Sequence, residues 1–163
     1  VNDIVGRIVD VKELRVERAE EAVQAARLAL EEAGRRVVER ERELEEYRVW
    51  RRRKEEALFD ELQTKLVSVR EIEDVKVEIG LLRGRETLFE QKITDAKAER
   101  AKAHEALDAS TRAYEAAVKN LQKFEELADW LDAEAKAYRE RMEELELEEQ
   151  LAMASVDREE ALA

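Results

Sequence analysis

From Leu82 to Val156, alternating steps of four and three residues land on Leu82, Glu86, Phe89, Ile93, Ala96, Arg100, Ala103, Leu107, Ser110, Tyr114, Ala117, Leu121, Phe124, Ala128, Leu131, Ala135, Tyr138, Met142, Leu145, Glu149, Ala152 and Val156. Most of these are apolar, and the residues between them are mostly charged or Ala. A 3.5-residue repeat held this long predicts one narrow apolar stripe on a supercoiling helix. Such a helix is roughly 110 Å long at 1.5 Å per residue. A stripe that thin cannot fold alone, so the helix needs a partner.

The partner is predicted within the same chain. Residues 1–66 carry a second repeat through Val5, Val9, Lys12, Val16, Ala19, Val23, Ala26, Leu30, Ala33, Val37, Arg40, Leu44, Tyr47, Arg51, Lys54 and Leu58. It is strict at first and degrades from Arg40 onward, where Trp50, Ala57 and Phe59 fall outside it. Scattered aromatics beside a seam point to contacts beyond one partner helix. Gly6 and Gly34 are tolerated at about 1 kcal/mol each relative to Ala.

Between the two tracts, Thr64 to Glu71 is rich in β-branched residues, which weaken a helix. Ser68 followed three residues later by Glu71 fits a capping box. The first helix is therefore expected to end near Leu66 and a new one to start after Ser68. Gly80 and Gly84 are compatible with either a bend or unbroken helix. The expected fold is all-α, a long antiparallel two-helix coiled-coil hairpin with a short helical turn region. The expected parts are residues 1–66 as first arm, 67–82 as turn and short helical segment, and 83–163 as second arm. Facing residue numbers should sum to roughly 145–150 if both arms rise equally. That register sets Val16 near Leu131 and Leu30 near Ala117. Two seams that satisfy each other predict a monomeric rod.

Composition agrees with this pattern and narrows the function. The 163 residues include no Pro, no Cys and 44% charged residues, a profile of long helices. The net charge of −12 argues against nucleic acid as a partner, because phosphate backbones need a basic surface. No run approaches a membrane span and no secretory signal stands at the start, so membrane insertion is not expected. Residues 125–163 hold fourteen acids against four bases, and residues 1–34 eight against five. In a hairpin both acidic stretches meet at one tip.

Candidate chemistry is sparse. His104 is the single histidine, and without Cys a zinc site would rest on carboxylates alone, which is uncommon. The Glu-rich run 143–149 lacks the Glu-x-x-His motif of di-iron bundles and the glycine-bearing loop of calcium sites. No phosphate loop, nucleophile elbow or dinucleotide fingerprint is present. No cofactor, metal or enzymatic activity is expected. The run Tyr47 to Lys54 combines aromatic and basic residues. It suits protein contact, since Trp, Tyr and Arg commonly anchor interfaces, or a local core near the turn.

Several segments carry a resemblance. Leu14-Arg15-Val16-Glu17-Arg18-Ala19-Glu20, then Tyr47, Trp50 and Arg51, then Leu58-Phe59-Asp60, then Ile79, Leu82, Arg83 and Glu86 resemble the YscO family of type III secretion proteins, also called SctO and related to flagellar FliJ. One departure is Val75, where some members carry Trp. The resemblance implies a cytoplasmic helical hairpin in bacteria, peripheral to the inner-membrane secretion apparatus. It implies a central stalk that enters a hexameric secretion ATPase at one end and reaches the cytoplasmic ring of the export gate elsewhere. It also implies, for some members, contact with secretion chaperones. On this footing Leu44, Tyr47, Trp50, Val75 and Ile79 are candidate export-gate contacts. Glu140, Glu143, Glu144 and Glu148, at the acidic tip, are candidate ATPase contacts. The alternatives are a generic coiled-coil scaffold or tether, and an anionic-lipid module using Arg51, Arg52, Arg53 and Lys54.

Overall fold

The computed structural model describes residues 2–163 as two helices, α1 (Asn2–Thr64) and α2 (Val69–Leu162), joined by residues 65–68. Together they form a helical hairpin. Glu21–Arg112 packs as one unit, made of the later part of α1, the turn and the early part of α2. The α1 residues up to Glu20 pack with Ala113–Ala163 as a second unit.

The turn forms where the sequence weakens the helix. α1 stops at Thr64, about two residues before the expected end, and the Thr64 hydroxyl donates to the Glu61 carbonyl at 3.1 Å. Ser68 then caps α2. Its backbone N–H donates to Glu71 Oε2 at 3.0 Å, and the Glu71 N–H donates to Ser68 Oγ at 3.3 Å. This reciprocal pair satisfies two donors that a helix start leaves open. The Ile72 N–H closes the first turn on the Ser68 carbonyl at 3.3 Å. No residue of the turn needs a positive φ, so the reversal rests on the cap rather than on glycine. α2 runs without interruption through Gly80 and Gly84.

In the unit of Glu21–Arg112, partners run in opposite directions. Glu55 meets Arg83, Arg51 meets Glu86, and Arg48 meets Glu86 and Glu90. The paired numbers sum to 134–138, not 145–150, so the expected register is corrected. Equal rise on both arms fixes the sum at twice the midpoint of the turn, which lies between Thr64 and Val69. Leu30 therefore lies opposite the stretch from Ala103 to Leu107, rather than opposite Ala117.

The other unit keeps its own seam. Lys12 Nζ sits 5.0 Å above the Phe124 ring centre, a cation–π contact that lets a lysine occupy a seam position. By that register Val16 faces the region of Asn120, roughly three helical turns from the expected Leu131. Leu121, Phe124, Ala128, Leu131 and Ala135 are half-buried, and every residue from Tyr138 onward is exposed.

The core is thin and one-sided. Among the described residues, Val5, Val23, Ala33, Val37, Leu44 and Leu58 are buried on α1, against Leu82 on α2. The α2 seam is rich in Ala, so larger α1 side chains reach inward while the small α2 residues let the backbones approach. Two substitutions separate core from cap. Val37→Asp, at a side chain 2% exposed, is expected to cost about 3 kcal/mol by burying an unpaired charge. Ser68→Ala is expected to cost about 1 kcal/mol, the usual worth of a helix cap. Chemical denaturation followed by circular dichroism measures both, and equal losses would show that the seam is no more important than the cap.

Candidate protein-docking surfaces

The seam changes character at Tyr47. The next inward positions on α1 are Arg51 and Glu55, and Glu86 faces them from α2, so charge replaces hydrocarbon between the arms. Arg51 Nη1 donates to Glu55 Oε1 at 3.0 Å, and Arg51 Nε lies 3.2 Å from Glu86 Oε2 without an aligned hydrogen bond. Arg48 Nε donates to Glu86 Oε1 at 2.5 Å, and its Nη2 lies 3.5 Å from Glu90 Oε1. Arg83 Nε donates to Glu55 Oε1 at 3.2 Å. Three arginines and three glutamates thus form one neutral network across the hairpin. Its centre is well covered, with the side chains of Arg51, Glu55 and Glu86 only 12–16% exposed.

Hydrogen bonding from Arg48, supported by the charge of Arg51, holds the Glu86 carboxyl below the ordinary glutamate range, against desolvation. The same hydrogen bond raises Arg48. Beside the network the Tyr47 hydroxyl donates to the Leu82 carbonyl. Its ring stacks on Phe89 with centroids 4.7 Å apart, and Trp50 tilts against it at 5.7 Å.

The five candidate gate residues therefore divide. Leu44 is buried, and Tyr47 is half-buried and turned into the hairpin. Trp50 is about half exposed, at one edge of a shallow groove with Glu43, Glu46, Arg85 and Phe89. Val75 and Ile79 are half-buried nearer the turn, and Val75 lines a crevice with Leu58, Leu62 and Val67. In this register Val75 pairs with the level of Leu58, about 20 Å along α1 from Leu44. The five do not form one patch. Leu44 and Tyr47 stand on the α1 repeat, and their side chains serve the pairing of the arms rather than an outer surface.

The basic run also divides. Arg51 is bound into the network, while Arg52, Arg53 and Lys54 stay exposed. That removes one of the four cations expected for an anionic-lipid surface. Glu140, Glu143, Glu144 and Glu148 are all exposed on the last part of α2. They share it with Tyr138, Met142, Leu145, Leu147, Leu151 and Met153, which are exposed as well. His104 is exposed, its Nδ1 3.4 Å from Asp108 Oδ2. Among the described residues no three His, Cys, Asp or Glu side chains gather at a metal site, and no helix is long and apolar enough to cross a membrane.

The network makes a pH-dependent prediction. A depressed carboxyl contributes stability above its unfolded pKa, and that stability is lost as pH falls through the folded value. The melting temperature of Glu86→Gln should therefore lie below that of the parent by a constant few degrees at neutral pH. The gap should close below about pH 4, where glutamates protonate. A gap independent of pH would show that Glu86 acts through shape and not charge.

Comparison with known proteins places this arrangement. A family model described as type III secretion protein YscO matches residues 5–153. Yop proteins translocation protein O of Yersinia pseudotuberculosis serotype I is 33% identical over 87 residues. That alignment covers 53% of this chain and 56% of the Yersinia protein, so the chain matches about half the length of that relative. The crystal structure of type III secretion protein YscO from Vibrio parahaemolyticus superposes with a TM-score of 0.84 at 30% identity, covering 91% of this chain and 93% of that one.

Proposed function

The chain belongs to the YscO family of type III secretion proteins, and on that premise we propose that it is the central stalk of a bacterial export apparatus. In this reading it works in the cytoplasm, against the inner-membrane machine, and couples the hexameric secretion ATPase to the cytoplasmic ring of the export gate. Secretion chaperones are a further class of partner. The work is mechanical and calls for no catalytic group.

The observation that carries the reading is the last part of α2. From Tyr138 onward it is continuous helix with apolar residues still at seam spacing, yet every side chain is exposed. Residues 134–163 hold ten acids against four bases. Crowded like charge is unfavourable in isolation and is offset by a basic partner. A ring pore lined by Lys or Arg meets that requirement and would take up the apolar positions too. Glu140, Glu143, Glu144 and Glu148 are the residues that would steer it.

Gate contact is assigned to the exposed edge at Trp50, with Val75 and Ile79 nearer the turn. Leu44 and Tyr47 support that surface from inside. Both proposed docking regions lie on helix, within α1 and α2, rather than in a loop.

Steering between opposite fields weakens steeply with ionic strength. The association rate with a purified secretion ATPase should fall from low to physiological salt. Replacing Glu140, Glu143, Glu144 and Glu148 by Gln should lower it at least about tenfold at low salt. Rates indifferent to both changes would mean that another part of the chain docks. For the gate, Trp50→Ala should weaken binding to the ring without changing the melting curve, whereas Tyr47→Ala should lower stability. Undiminished ring binding by Trp50→Ala would remove this edge from the interface.

A further inference from the structure

A second, shorter seam runs along α2, away from α1. Val77, Leu81, Gly84 and Leu88 recur at four, three and four residues, roughly 130° round the helix from the Leu82 seam. Val77, Leu81 and Leu88 are 63–66% exposed. The same spacing extends to Asp74 and Arg70 on one side and to Gln91 and Asp95 on the other, all exposed. Among the described residues nothing covers this stripe. Gly80 and Gly84 also lack a packing role within the chain, since a Cβ at either would meet no atom within 4 Å. Each costs the helix about 1 kcal/mol relative to Ala.

The stripe is palindromic. Laid antiparallel on a copy of itself about the midpoint between Leu81 and Gly84, it pairs Val77 with Leu88 and Leu81 with Gly84. Asp74 then meets Gln91, and Arg70 meets Asp95. Large faces small at the centre, apolar faces apolar around it, and opposite charges close both ends. The flank agrees. In an antiparallel pair the positions following alternate seam residues face each other across the interface, which sets Glu78 beside Arg85 of the copy. Arg70, Glu78 and Arg85 have no ion pair inside the chain among the described residues. A twofold pair uses each such contact twice.

We propose that this face of α2 is a self-association surface that takes a second copy of the chain, antiparallel, with the two helices crossing where Leu81 of each meets Gly84 of the other. The monomer expected from two mutually satisfied seams is then the dilute form. Four apolar layers make an interface at the weak end of specific ones, below about 1,200 Å², so pairing is expected at high local concentration.

Sedimentation equilibrium of the whole chain between about 1 µM and about 500 µM tests this in the range such small interfaces reach. The mass should rise from 19.0 kDa toward twice that value. Leu81→Glu, at an exposed position, should stay monomeric at every concentration with unchanged helical signal and melting curve. Arg85→Glu should weaken pairing at least about tenfold by setting like charges together. Arg85→Glu combined with Glu78→Arg should restore it. A parent chain that stays monomeric throughout, or a dimer that survives Leu81→Glu, overturns the proposal. Failure of the double exchange to restore pairing overturns the antiparallel register.

Discussion

At the level of Arg51 and Glu86 the two arms are joined by charge, between apolar layers at Tyr47 with Phe89 on one side and at Leu58 on the other. A seam of Val, Leu and Ala is repetitive, and sliding one arm by a heptad would still set apolar residues against apolar ones. The network of Arg48, Arg51, Glu55, Arg83, Glu86 and Glu90 does not repeat. Any slide would leave covered arginines and glutamates without partners, which costs far more than the pairs contribute when made. A polar layer of this kind contributes little net stability and much uniqueness. The hydrogen bond from Tyr47 to the Leu82 carbonyl and the stacking on Phe89 hold the adjacent layer in the same register.

Much of the fold is legible in the residues. Heptad spacing picks out most inward positions as far as Ala135, although Lys54 and Arg100 are exposed and Glu55 turns inward beside Lys54, and Ser68 with Glu71 marks the start of α2 by a mechanism the structure reproduces. The register is less legible, because the facing sum depends on the midpoint of the turn. A few residues of misplacement there are doubled along the arm. The candidate docking residues divide for a related reason. Leu44 and Tyr47 stand on the α1 repeat and Trp50 outside it, and the structure turns the first two inward and leaves Trp50 exposed. Arg51 and Glu86 both stand at seam positions, which a pattern of apolar and polar residues reads as defects. The structure turns them toward each other.

The same economy explains how a thin protein offers surfaces. A two-helix hairpin has no deep core, and only seven side chains among those described are buried, none of them completely. Its remaining faces are free for partners, provided the pairing of the arms is secure. Identity with the Vibrio protein is modest at 30% while the backbone agrees closely. An apolar seam defined by spacing tolerates that drift at most of its positions.

The claim that charge sets the register is tested most directly by distance. Spin labels at Arg42 and Asp95, exposed positions on the two arms of the Glu21–Arg112 unit, report how the arms are aligned. In the parent chain the distance distribution should be single and narrow. Replacing Arg51 and Glu86 together by Leu should keep the helical content. It should broaden the distribution or add a second population displaced by about 10 Å, one heptad of rise. A distribution that stays single and unmoved in the Leu variant would contradict the account, and would show that the apolar seam and the turn align the arms without the network.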